Sequence, residues 1–441
     1  MKKTPIDYNI VQEKIKQSGL KSIGKASIRE IKKLIDQIED ASGEKFIRME
    51  MGIPGLPPVK IGVDAQIDAL NKGISGIYPD IQGVSELKNE FSKFLKLFMD
   101  VEAKPETCIP TVGSMQGSFA AFLCMSRTNK NQDSTLFMDP GFPVHKMQHK
   151  VLNLRYESFD VYNFRGEKLR EKLESYFSTG RFHSVLYSNP NNPSWICFTD
   201  EELKIIAEVA DKYKVAILED LAYFGMDFRK DISVPGKPPY QPTIAKYSDN
   251  YILFISSSKI FSYAGERIGM MVISDRLFNM SIPDLKRFYT TDRLGYSLIF
   301  ETLYPLSSGT SHSAQYALAA IYKAVNQGKF NFVEYVKDYG VKAHEMKKLF
   351  TENGFKIVYD KDLDQPIADG FYFTFSYPGM DSEFLLKELV YYGISAISLL
   401  ITGSSHKEGI RACTSLIRHD QMPVLKERLI QFHKDHPVNM S

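Results

Sequence analysis

The sequence has few cysteines, no apolar run as long as a membrane span and no extended run of one charge. Its cysteines, Cys108, Cys124, Cys197 and Cys413, show no CxxC spacing, which favours a reducing, cytoplasmic setting. The apolar runs are far shorter than the roughly 20 residues that cross a bilayer, and residues 1–5 lead into polar sequence rather than into the apolar segment of a signal peptide. A net charge of +2 without a long basic stretch argues against a nucleic-acid partner.

The chain does have length and a regular alternation of apolar segments. Its 441 residues, 43% of them apolar, are enough for the cores of about two to three domains. In the middle of the chain, short apolar runs alternate with longer amphipathic ones, which is typical of repeated βα units. Strands that are apolar throughout and covered by helices predict a mostly parallel sheet. The predicted strands are 134–138, 184–187, 215–218 and 251–255.

Breaks and caps divide this pattern further. The charged segment before the Pro/Gly-rich stretch 52–58 has apolar residues at helical spacing between residues 31 and 38. The stretch itself predicts a crossing between domains. Thr199 and Glu202 have the spacing of a capping box, which predicts that a helix begins there. After the break at 307–309, long helices with a few strands are predicted.

A lysine just past the predicted strand 251–255 is the most informative residue. Lys259 follows small hydroxyl residues, so we expect its amine at the edge of the sheet, where open α/β sheets hold ligands. A desolvated lysine amine loses its proton more readily and can form a Schiff base with a carbonyl. Arg267, eight residues later, offers a fixed cation for a phosphate. For this pair alone, a surface lysine and arginine on a turn are the alternative.

The segment around this lysine resembles the lysine signature of the class I and II pyridoxal-phosphate (PLP) aminotransferases, S-x-S-K-x-x-x-x-x-G-x-R-x-G. The match comprises Ser256, Lys259, Gly265, Arg267 and Gly269. The resemblance implies that Lys259 holds PLP as a Schiff base and acts as the catalytic base and acid. It also implies that Ser256 and Arg267 bind the cofactor.

A small-residue turn from Thr111 to Ser118 leads into an apolar helical run. The free N–H groups and the positive dipole end of a helix N-terminus suit a phosphate. An ordinary glycine and serine helix start is the alternative. The turn resembles the family's T-x-G-x-x-Q segment, which implies that the backbone of Ser114 and Met115 binds the cofactor phosphate.

An aspartate follows the predicted strand 215–218. A carboxylate beside a positively charged heterocycle stays ionised and keeps a ring nitrogen protonated, and that proton makes a pyridine ring an electron sink. A helix N-cap is the alternative role for Asp220. The family's D-x-x-Y pair matches Asp220 and Tyr223. The resemblance implies catalytic and cofactor-binding roles for both, with Tyr223 donating to the phenolic oxygen of PLP.

Two loops after predicted strands resemble further parts of the cofactor site. The segment 189–195 resembles N-P-x-N-P-S/T-G, which implies that Asn192 contacts the phenolic oxygen and the substrate. Trp195 replaces the usual glycine, which suggests a reshaped substrate side of the pocket. Phe142 falls where the family stacks an aromatic ring on the cofactor, with a buried core phenylalanine as the alternative.

Three residues resemble groups that bind the substrate or a second subunit. Arg411 resembles the family's late arginine, which grips the substrate α-carboxylate; the planar guanidinium suits that task because it pairs bidentately. A surface arginine on a strand is the alternative. Gly52 matches a glycine beside the substrate. Tyr78 resembles the tyrosine that reaches the cofactor phosphate of a neighbouring subunit, which implies a homodimer.

One possible metal pair remains. His145 and His149 are four residues apart and share a face if they lie on a helix. No third ligand has a suitable spacing, so we predict no metal site and favour solvated or packed histidines.

Together the motifs make the chain similar to fold-type-I PLP aminotransferases from about Gly52 to Arg411. The implied fold is α/β, with a large domain whose mostly parallel sheet is sandwiched by helices and a small α+β domain from both chain ends. We place the N-terminal part of the small domain at 1–58, the large PLP-binding domain at 59–312 and the small C-terminal domain at 313–441.

The implied activity is the transfer of an amino group between an amino acid and a 2-oxo acid by a ping-pong mechanism. A PLP-dependent lyase or acyl-condensing enzyme of the same fold is the nearest alternative, because fold and cofactor do not choose the reaction. A PLP-binding regulator is less favoured, because the N-terminal stretch does not resemble a basic helix-turn-helix domain. The substrate stays open, since Trp195 and the loop 399–404 both depart from the family pattern.

Overall fold

A computed structural model describes residues 4–438 of the chain. In chain order, the strands are β1 (Ile47–Arg48), β2 (Cys108–Thr111), β3 (Ser134–Asp139), β4 (Arg155–Asp160), β5 (Phe182–Ser188), β6 (Ala216–Asp220), β7 (Tyr251–Ser256), β8 (Gly269–Ile273), β9 (Lys356–Ile357), β10 (Lys361–Asp362), β11 (Gln365–Pro366), β12 (Tyr372–Ser376), β13 (Ile394–Ser395), β14 (Ile397–Ser398) and β15 (Ile410–Cys413).

The α-helices, in the same order, are α1 (Tyr8–Gln17), α2 (Ile28–Ser42), α3 (Lys60–Asn71), α4 (Ser85–Met99), α5 (Gly113–Met125), α6 (Pro143–Leu152), α7 (Lys168–Phe177), α8 (Asp200–Tyr213), α9 (Ser257–Ile260), α10 (Asp275–Asn279), α11 (Leu294–Leu298), α12 (Tyr304–Ser307), α13 (His312–Asn326), α14 (Phe332–Val336), α15 (Asp338–Glu352), α16 (Ser382–Tyr391) and α17 (Met422–Asp435).

The chain forms two compact units. The large unit comprises Leu56–Asn191 and Cys197–Val336, and the small unit comprises Met1–Gly55, Asn192–Ile196 and Lys337–Ser441. The domain boundaries that we place after residues 58 and 312 stay a prediction. Helix α13, which the second boundary would assign to the C-terminal domain, lies in the large unit because it packs against α3 and α4.

A seven-stranded sheet forms the centre of the large unit, in the order β2-β8-β7-β6-β5-β3-β4. The five strands from β7 to β4 run parallel, and β8 is antiparallel to both of its neighbours. Every residue of β3, β5, β6 and β7 is buried, as expected of strands with helices on the sheet. Helix α5 packs on β7 and β8, and α8 packs on β6.

The predicted strands correspond to observed ones with small shifts. Strands β3, β5 and β7 contain the predicted runs, whereas β6 begins one residue later than predicted and extends to Asp220. Helix α8 begins with the predicted capping box, in which the Thr199 side chain accepts from the Glu202 N–H and the Glu202 side chain accepts from the Thr199 N–H. These caps fix where the helix begins after β5.

The small unit has both helices and sheets. Strands β14, β15, β12 and β9 form an antiparallel sheet in that order, and β1 pairs with β13 in parallel. The apolar residues of α2 pack into a core with residues of β12, α16 and α17. That helical stripe, which the sequence predicts, is Ile31, Leu34, Ile35 and Ile38. The unit therefore unites segments from both ends of the chain.

The described part of the chain also bears on membranes and disulfides. None of the helices in residues 4–438 combines the length and apolar character that a membrane span requires. The four cysteines are buried and carry free thiols.

Candidate active site

Four neighbouring parallel strands of the large unit bring predicted site residues to one edge of the sheet. Strands β7, β6, β5 and β3 are adjacent, so their carboxyl ends lie side by side. Lys259 lies on α9, directly after β7, and Asp220 is the last residue of β6. Phe142 follows β3 and precedes α6. Open α/β sheets hold their ligands at such an edge.

The same edge has a positive helix start. Thr111, at the end of β2, pairs with Gly269 at the start of β8, so α5 begins beside Arg267. A Cβ atom on Gly113 would lie 2.5 Å from Arg267 Nη2, and one on Gly269 would lie 3.1 Å from the backbone nitrogen of Ser114. Glycine is therefore needed where the helix start, the strand and the guanidinium approach. The side chain of Val112, the N-cap of α5, makes no cap hydrogen bond, and Gln116 Oε1 accepts from the Val112 N–H at 2.8 Å. Within residues 4–438 no side chain is seen to accept from the first-turn N–H groups that follow, so they can bind an anion.

Serine hydroxyls fix the one-turn helix that carries the lysine. Ser256 is the N-cap of α9 and its Oγ accepts from the Ser258 N–H at 3.1 Å. The Ser257 hydroxyl donates to the carbonyl of Ile268 at 2.6 Å, which ties α9 to the start of β8. Lys259 is half-buried on this helix. The turn thus holds the lysine at the end of β7.

Asp220 is a buried carboxylate with an incomplete set of partners. Its side chain is 6% exposed, and Oδ1 accepts from the Ala222 N–H at 3.1 Å. His145 Nε2 lies 4.0 Å from Oδ2, beyond hydrogen-bond distance. Burial raises the pKa of Asp220 to about 7, against the lowering effect of the Ala222 N–H. Within residues 4–438, Oδ2 has no hydrogen-bond donor, and it can accept one from a ligand.

His145 is a site neighbour that sequence reasoning assigned no role. It lies on α6 three residues after Phe142, and the two rings meet edge to face at 5.6 Å between centroids. Burial lowers the pKa of His145 to about 3, so it is neutral beside Asp220. Its position shortly after a strand could have indicated that His145 lies near the site. Its contact with Asp220 could not be predicted, because that contact depends on the order of the strands in the sheet.

The possible metal pair is packed instead. His149 Nδ1 lies 3.0 Å from the carbonyl of His145, and the His149 ring packs on Phe122. Burial lowers the pKa of His149 to about 4. Among residues 4–438, no group of three or more His, Cys, Asp or Glu side chains is arranged to hold a metal ion.

In the small unit, Arg411 is buried with neutral partners. It lies on β15 with 1% of its surface exposed. Nη2 donates to the carbonyl of Glu50 at 2.8 Å, and Nη1 donates to Oδ1 of Asn192 at 3.5 Å. Nε has no hydrogen-bond acceptor in the part of the chain that the structure describes. A buried guanidinium that lacks a negative partner is suited to bind a carboxylate.

An aromatic ring supports this arginine, and sequence reasoning missed it. Arg411 Cζ lies 4.5 Å from the centroid of the Tyr372 ring. A Cβ atom on Gly52 would lie 1.9 Å from Tyr372 Oη, so only glycine fits beside that hydroxyl. The register of β12 and β15, which pairs Tyr372 with Cys413, produces this contact. Nothing in the local sequence of Tyr372 indicates it.

Three predicted residues, Tyr78, Met115 and Arg267, are exposed. Tyr78 lies in a loop with 88% of its side chain exposed, and within the described chain it makes no hydrogen bond or ring contact. Met115 is in the first turn of α5, where its backbone rather than its side chain has the predicted role. The structure thus gathers Gly52, Asn192 and Arg411 in the small unit and the strand-end residues in the large unit. The roles of individual residues stay predictions.

The residues of the large unit fit PLP. The uncapped start of α5 beside Arg267 suits a phosphate. The open oxygen of Asp220 suits a protonated ring nitrogen, and Lys259 supplies an amine for a carbonyl. Burial would disfavour an ionised Asp220 unless a cationic group paired with it.

The chain is similar to known aminotransferases over most of its length. The family model described as aminotransferase class I and II matches residues 44–362. A probable aspartate aminotransferase of Methanocaldococcus jannaschii is 26% identical over 59% of this chain. The match covers 64% of that relative's own length, so this chain spans slightly less than two thirds of it. An aspartate aminotransferase of Pyrococcus horikoshii is 25% identical over 74% of this chain and 79% of its own.

Solved structures agree in fold. A double mutant of Thermus thermophilus aspartate aminotransferase superposes with a TM-score of 0.74 over 96% of this chain and 98% of its own, at 15% identity. At that identity the likeness concerns the fold, and it confirms the predicted α/β class with a large, mostly parallel sheet. The matched family model confirms the predicted family: the chain belongs to the class I and II aminotransferases, a family of PLP-dependent transaminases.

Proposed function

We propose that the chain is a PLP-dependent aminotransferase that moves an amino group between an amino acid and a 2-oxo acid. The observation that carries this proposal is one sheet edge, where Asp220 ends β6 and where Lys259 and Phe142 follow β7 and β3. Asp220 is the decisive member, because it is buried and its Oδ2 accepts no hydrogen bond from any residue between 4 and 438. PLP requires an amine for its carbonyl and a carboxylate for its ring nitrogen.

The start of α5 would hold the phosphate of PLP. The N–H groups of Ser114 and Met115 would donate to it, and the dipole of the helix would favour its charge. Arg267 would add a guanidinium, and Ser256 would add a hydroxyl. The close approach at Gly113, where a side chain would collide with Arg267, supports this assignment.

The side chains at this edge would hold the ring of PLP. Phe142 would stack on its face, and Asp220 would accept from its nitrogen. Tyr223 would donate to its phenolic oxygen, a role that the family motif also gives to Asn192. These contacts fix the ring so that the reacting bond of the substrate has one orientation.

When bound, PLP supplies a carbonyl that condenses with amines and a ring that delocalises the electron pair of the substrate α-carbon. Lys259 Nζ would take the proton from that α-carbon as a base and, as an acid, give it to the carbon that was the carbonyl carbon of PLP. Asp220 stays ionised and holds the proton on the ring nitrogen. Because the first oxo acid leaves before the second binds, the kinetics are ping-pong.

Arg411 binds the α-carboxylate of each substrate. Its Nε and the remaining guanidinium N–H groups donate bidentately, while Glu50 and Asn192 hold the rest of the group in place. Gly52 leaves room beside the Tyr372 hydroxyl. Every amino acid and 2-oxo acid has this carboxylate, so the contact serves both halves of the reaction.

We further propose a cytoplasmic homodimer. Tyr78 is exposed and makes no hydrogen bond or ring contact with the described part of its own chain, which supports the role of reaching the neighbouring subunit's phosphate. Four buried free thiols support a reducing compartment. Mixing Tyr78→Ala with Lys259→Ala subunits tests the first point, because each hybrid dimer would contain one intact site and regain activity that neither variant has alone.

The test of the activity is a titration of the PLP-loaded protein with amino acids, followed by absorbance. We expect a donor amino acid to remove the band of bound PLP and to yield its 2-oxo acid in an amount equal to the bound PLP. A second 2-oxo acid should then restore the band. Borohydride reduction before the titration should attach the cofactor to Lys259, as located by mass spectrometry.

Lys259→Ala is the control for this test. It should keep the circular dichroism of the native protein and bind PLP without a covalent adduct. Release of ammonia and an oxo acid with no acceptor present would instead indicate the lyase. An unmodified Lys259 in the reduced native protein would refute the proposal.

A further inference from the structure

Trp195 is the single tryptophan of the chain and has an unusual backbone. It has a φ of +63°, in the left-handed region that disfavours a bulky side chain, and its side chain is completely buried. The resembling motif has glycine at this position, which adopts such a φ without strain. A tryptophan in this conformation persists only where its surroundings hold it, so its contacts in the small unit are informative.

The indole is packed against the start of β12. Its ring meets the Tyr372 ring edge to face, with 6.1 Å between centroids. A Cβ atom on Gly370 would lie 2.1 Å from Cε2 of Trp195, so the indole occupies the space that any other residue at 370 would need. The segment from Gly370 to Tyr372 is therefore shaped around Trp195.

Tyr372 is in turn held from two further sides. The Arg411 guanidinium lies over its ring at 4.5 Å, and its hydroxyl lies where a side chain on Gly52 would be. A ring under the guanidinium covers one face and leaves the N–H groups in the plane to donate. Three neighbours of this ring, Gly52, Arg411 and Trp195, are thus positions at which the sequence either matches or departs from the family's substrate side.

We propose that Trp195 is a positioning residue for the substrate carboxylate: its indole holds the Tyr372 ring under Arg411 and thereby sets the orientation of the open guanidinium N–H groups. The inference rests on the proposed role of Arg411. It assigns the glycine-to-tryptophan change to carboxylate affinity, which all substrates share, rather than to selection among substrate side chains. Replacing Trp195 should therefore weaken the binding of every amino donor and every oxo acid to a similar extent.

The test uses the PLP-loaded protein and propionate, a carboxylate that has no amino or keto group and does not react. Because Trp195 is the only tryptophan, its emission should change saturably as propionate binds, with the same Kd as calorimetry. Trp195→Gly and Tyr372→Leu should each raise that Kd about tenfold, the size expected when a guanidinium loses a supporting aromatic ring. Both should raise KM for several amino acids by a similar factor and change kcat by less than about twofold. Trp195→Phe should recover most of the affinity.

Phe432→Leu is the matched control, because Phe432 is a buried aromatic residue in the core of the same unit and packs on Phe355 and Tyr392. It should lower stability without changing the propionate Kd. Unchanged Kd and KM values in Trp195→Gly and Tyr372→Leu, with binding abolished in Arg411→Gln, would overturn this inference and leave the proposed function intact. Unchanged binding in Arg411→Gln would overturn the role of Arg411 and this inference with it. Should Trp195→Gly not fold, a native emission that saturating propionate leaves unaltered is sufficient to overturn the inference.

Discussion

The two units bury charge in complementary ways. The large unit buries acids and histidines, and at its sheet edge Asp220 accepts from one backbone N–H. The small unit buries Arg411, which donates to a carbonyl and an amide oxygen and lies over an aromatic ring. Among residues 4–438, no side chain of opposite charge forms an ion pair with either buried group. A ligand with a cationic N–H fits the first and a ligand with a carboxylate fits the second.

Within the large unit, the residue before Asp220 is a buried acid whose carboxylate oxygens both accept hydrogen bonds from the protein. Glu219 is fully buried, and it accepts from Thr243 Oγ1 at 2.5 Å, the Ile244 N–H at 3.1 Å and Tyr187 Oη at 3.2 Å. Because side chains alternate along a strand, Glu219 and Asp220 face opposite sides of β6. Burial raises the pKa of each to about 7. The number of protein donors, not the burial, separates the structural acid from the functional one.

The largest difference between the two acids is expected when each is replaced by its amide. Asp220→Asn keeps the size and the acceptor for Ala222 but removes the charge that holds a ring proton, so we expect kcat/KM to fall about 10³-fold. The free energy of unfolding should not fall, because no paired charge is lost. Glu219→Gln should have the reverse pattern. It should lose about 1–3 kcal/mol of stability, because one carboxylate oxygen that accepts from the protein is replaced by an NH2 group, while its activity stays near native. Steady-state kinetics and urea unfolding measure both.

Equal losses of activity in the two variants would contradict the distinction between them. A large loss of stability in Asp220→Asn would show that its carboxylate has a protein partner. Either result would remove the main support for a cofactor at this edge.

In the small unit, the corresponding variant is Arg411→Lys. Lysine keeps the charge but cannot pair bidentately or stack as a guanidinium does, so we expect kcat/KM to fall about 10²-fold, mostly through KM. Arg428→Lys is the matched control, since Arg428 is a buried arginine of the same unit that donates to the carbonyls of Gly393 and Lys45. The control should lose stability and keep its KM. A KM in Arg411→Lys no higher than in the control would refute the carboxylate role.

Three buried histidines make the stability of the large unit depend on pH. Burial lowers the pKa of His145 and His183 to about 3 and that of His149 to about 4, whereas an unfolded histidine titrates near 6.5. The unfolded chain therefore binds protons that the folded chain does not. Stability should fall as pH drops below about 6.5, by about 1.4 kcal/mol per histidine and pH unit.

Glu219 and Asp220 oppose this effect when PLP is absent. Their raised pKa values keep them protonated in the folded state between about pH 7 and the ordinary range near 4, so they add stability there. Three histidines against two acids predict a net loss of about 1.4 kcal/mol between pH 6.5 and 5.5. His183→Gln should bring that loss close to zero in urea unfolding of the PLP-free protein. The same slope in variant and native protein would show that His183 is protonated in the fold.

Much of the large unit could be predicted because its signals are local. Each of Lys259, Asp220 and Phe142 follows an apolar run, and parallel neighbours put such positions at one edge without knowledge of the strand order. The capping box of α8 lies within four residues and was likewise predictable. The sequence patterns did not predict that β6 extends to Asp220, because polar residues at its end interrupt the apolar run.

The contacts that complete each site depend on pairing between distant segments. Tyr372 lies beside Arg411 only through the register of β12 and β15, and His145 lies beside Asp220 only because β3 and β6 both neighbour β5. Periodicity indicates which residues are buried but not which strands pair. Trp195 could be recognised as a departure from a motif, yet its partners could not.

The smallest expected effects come from a motif that both units share. In the small unit, Ser27 and Glu30 cap α2 through two mutual hydrogen bonds. In the large unit, Thr199 and Glu202 cap α8 in the same way, but Glu202 is buried and also pairs with Arg165 at 2.6 Å. Ser27→Ala should cost about 1 kcal/mol in urea unfolding, the usual value of an N-cap.

Thr199→Ala should cost more than Ser27→Ala, up to about 2 kcal/mol, because the lost cap also loosens a buried carboxylate. Neither variant touches the residues that we assign to PLP or to the substrate carboxylate, so kcat/KM should stay native in both. Equal costs in the two variants would mean that Arg165 holds Glu202 without help from the cap. The buried ion pair, rather than the capping box, would then fix the start of α8 behind the sheet edge.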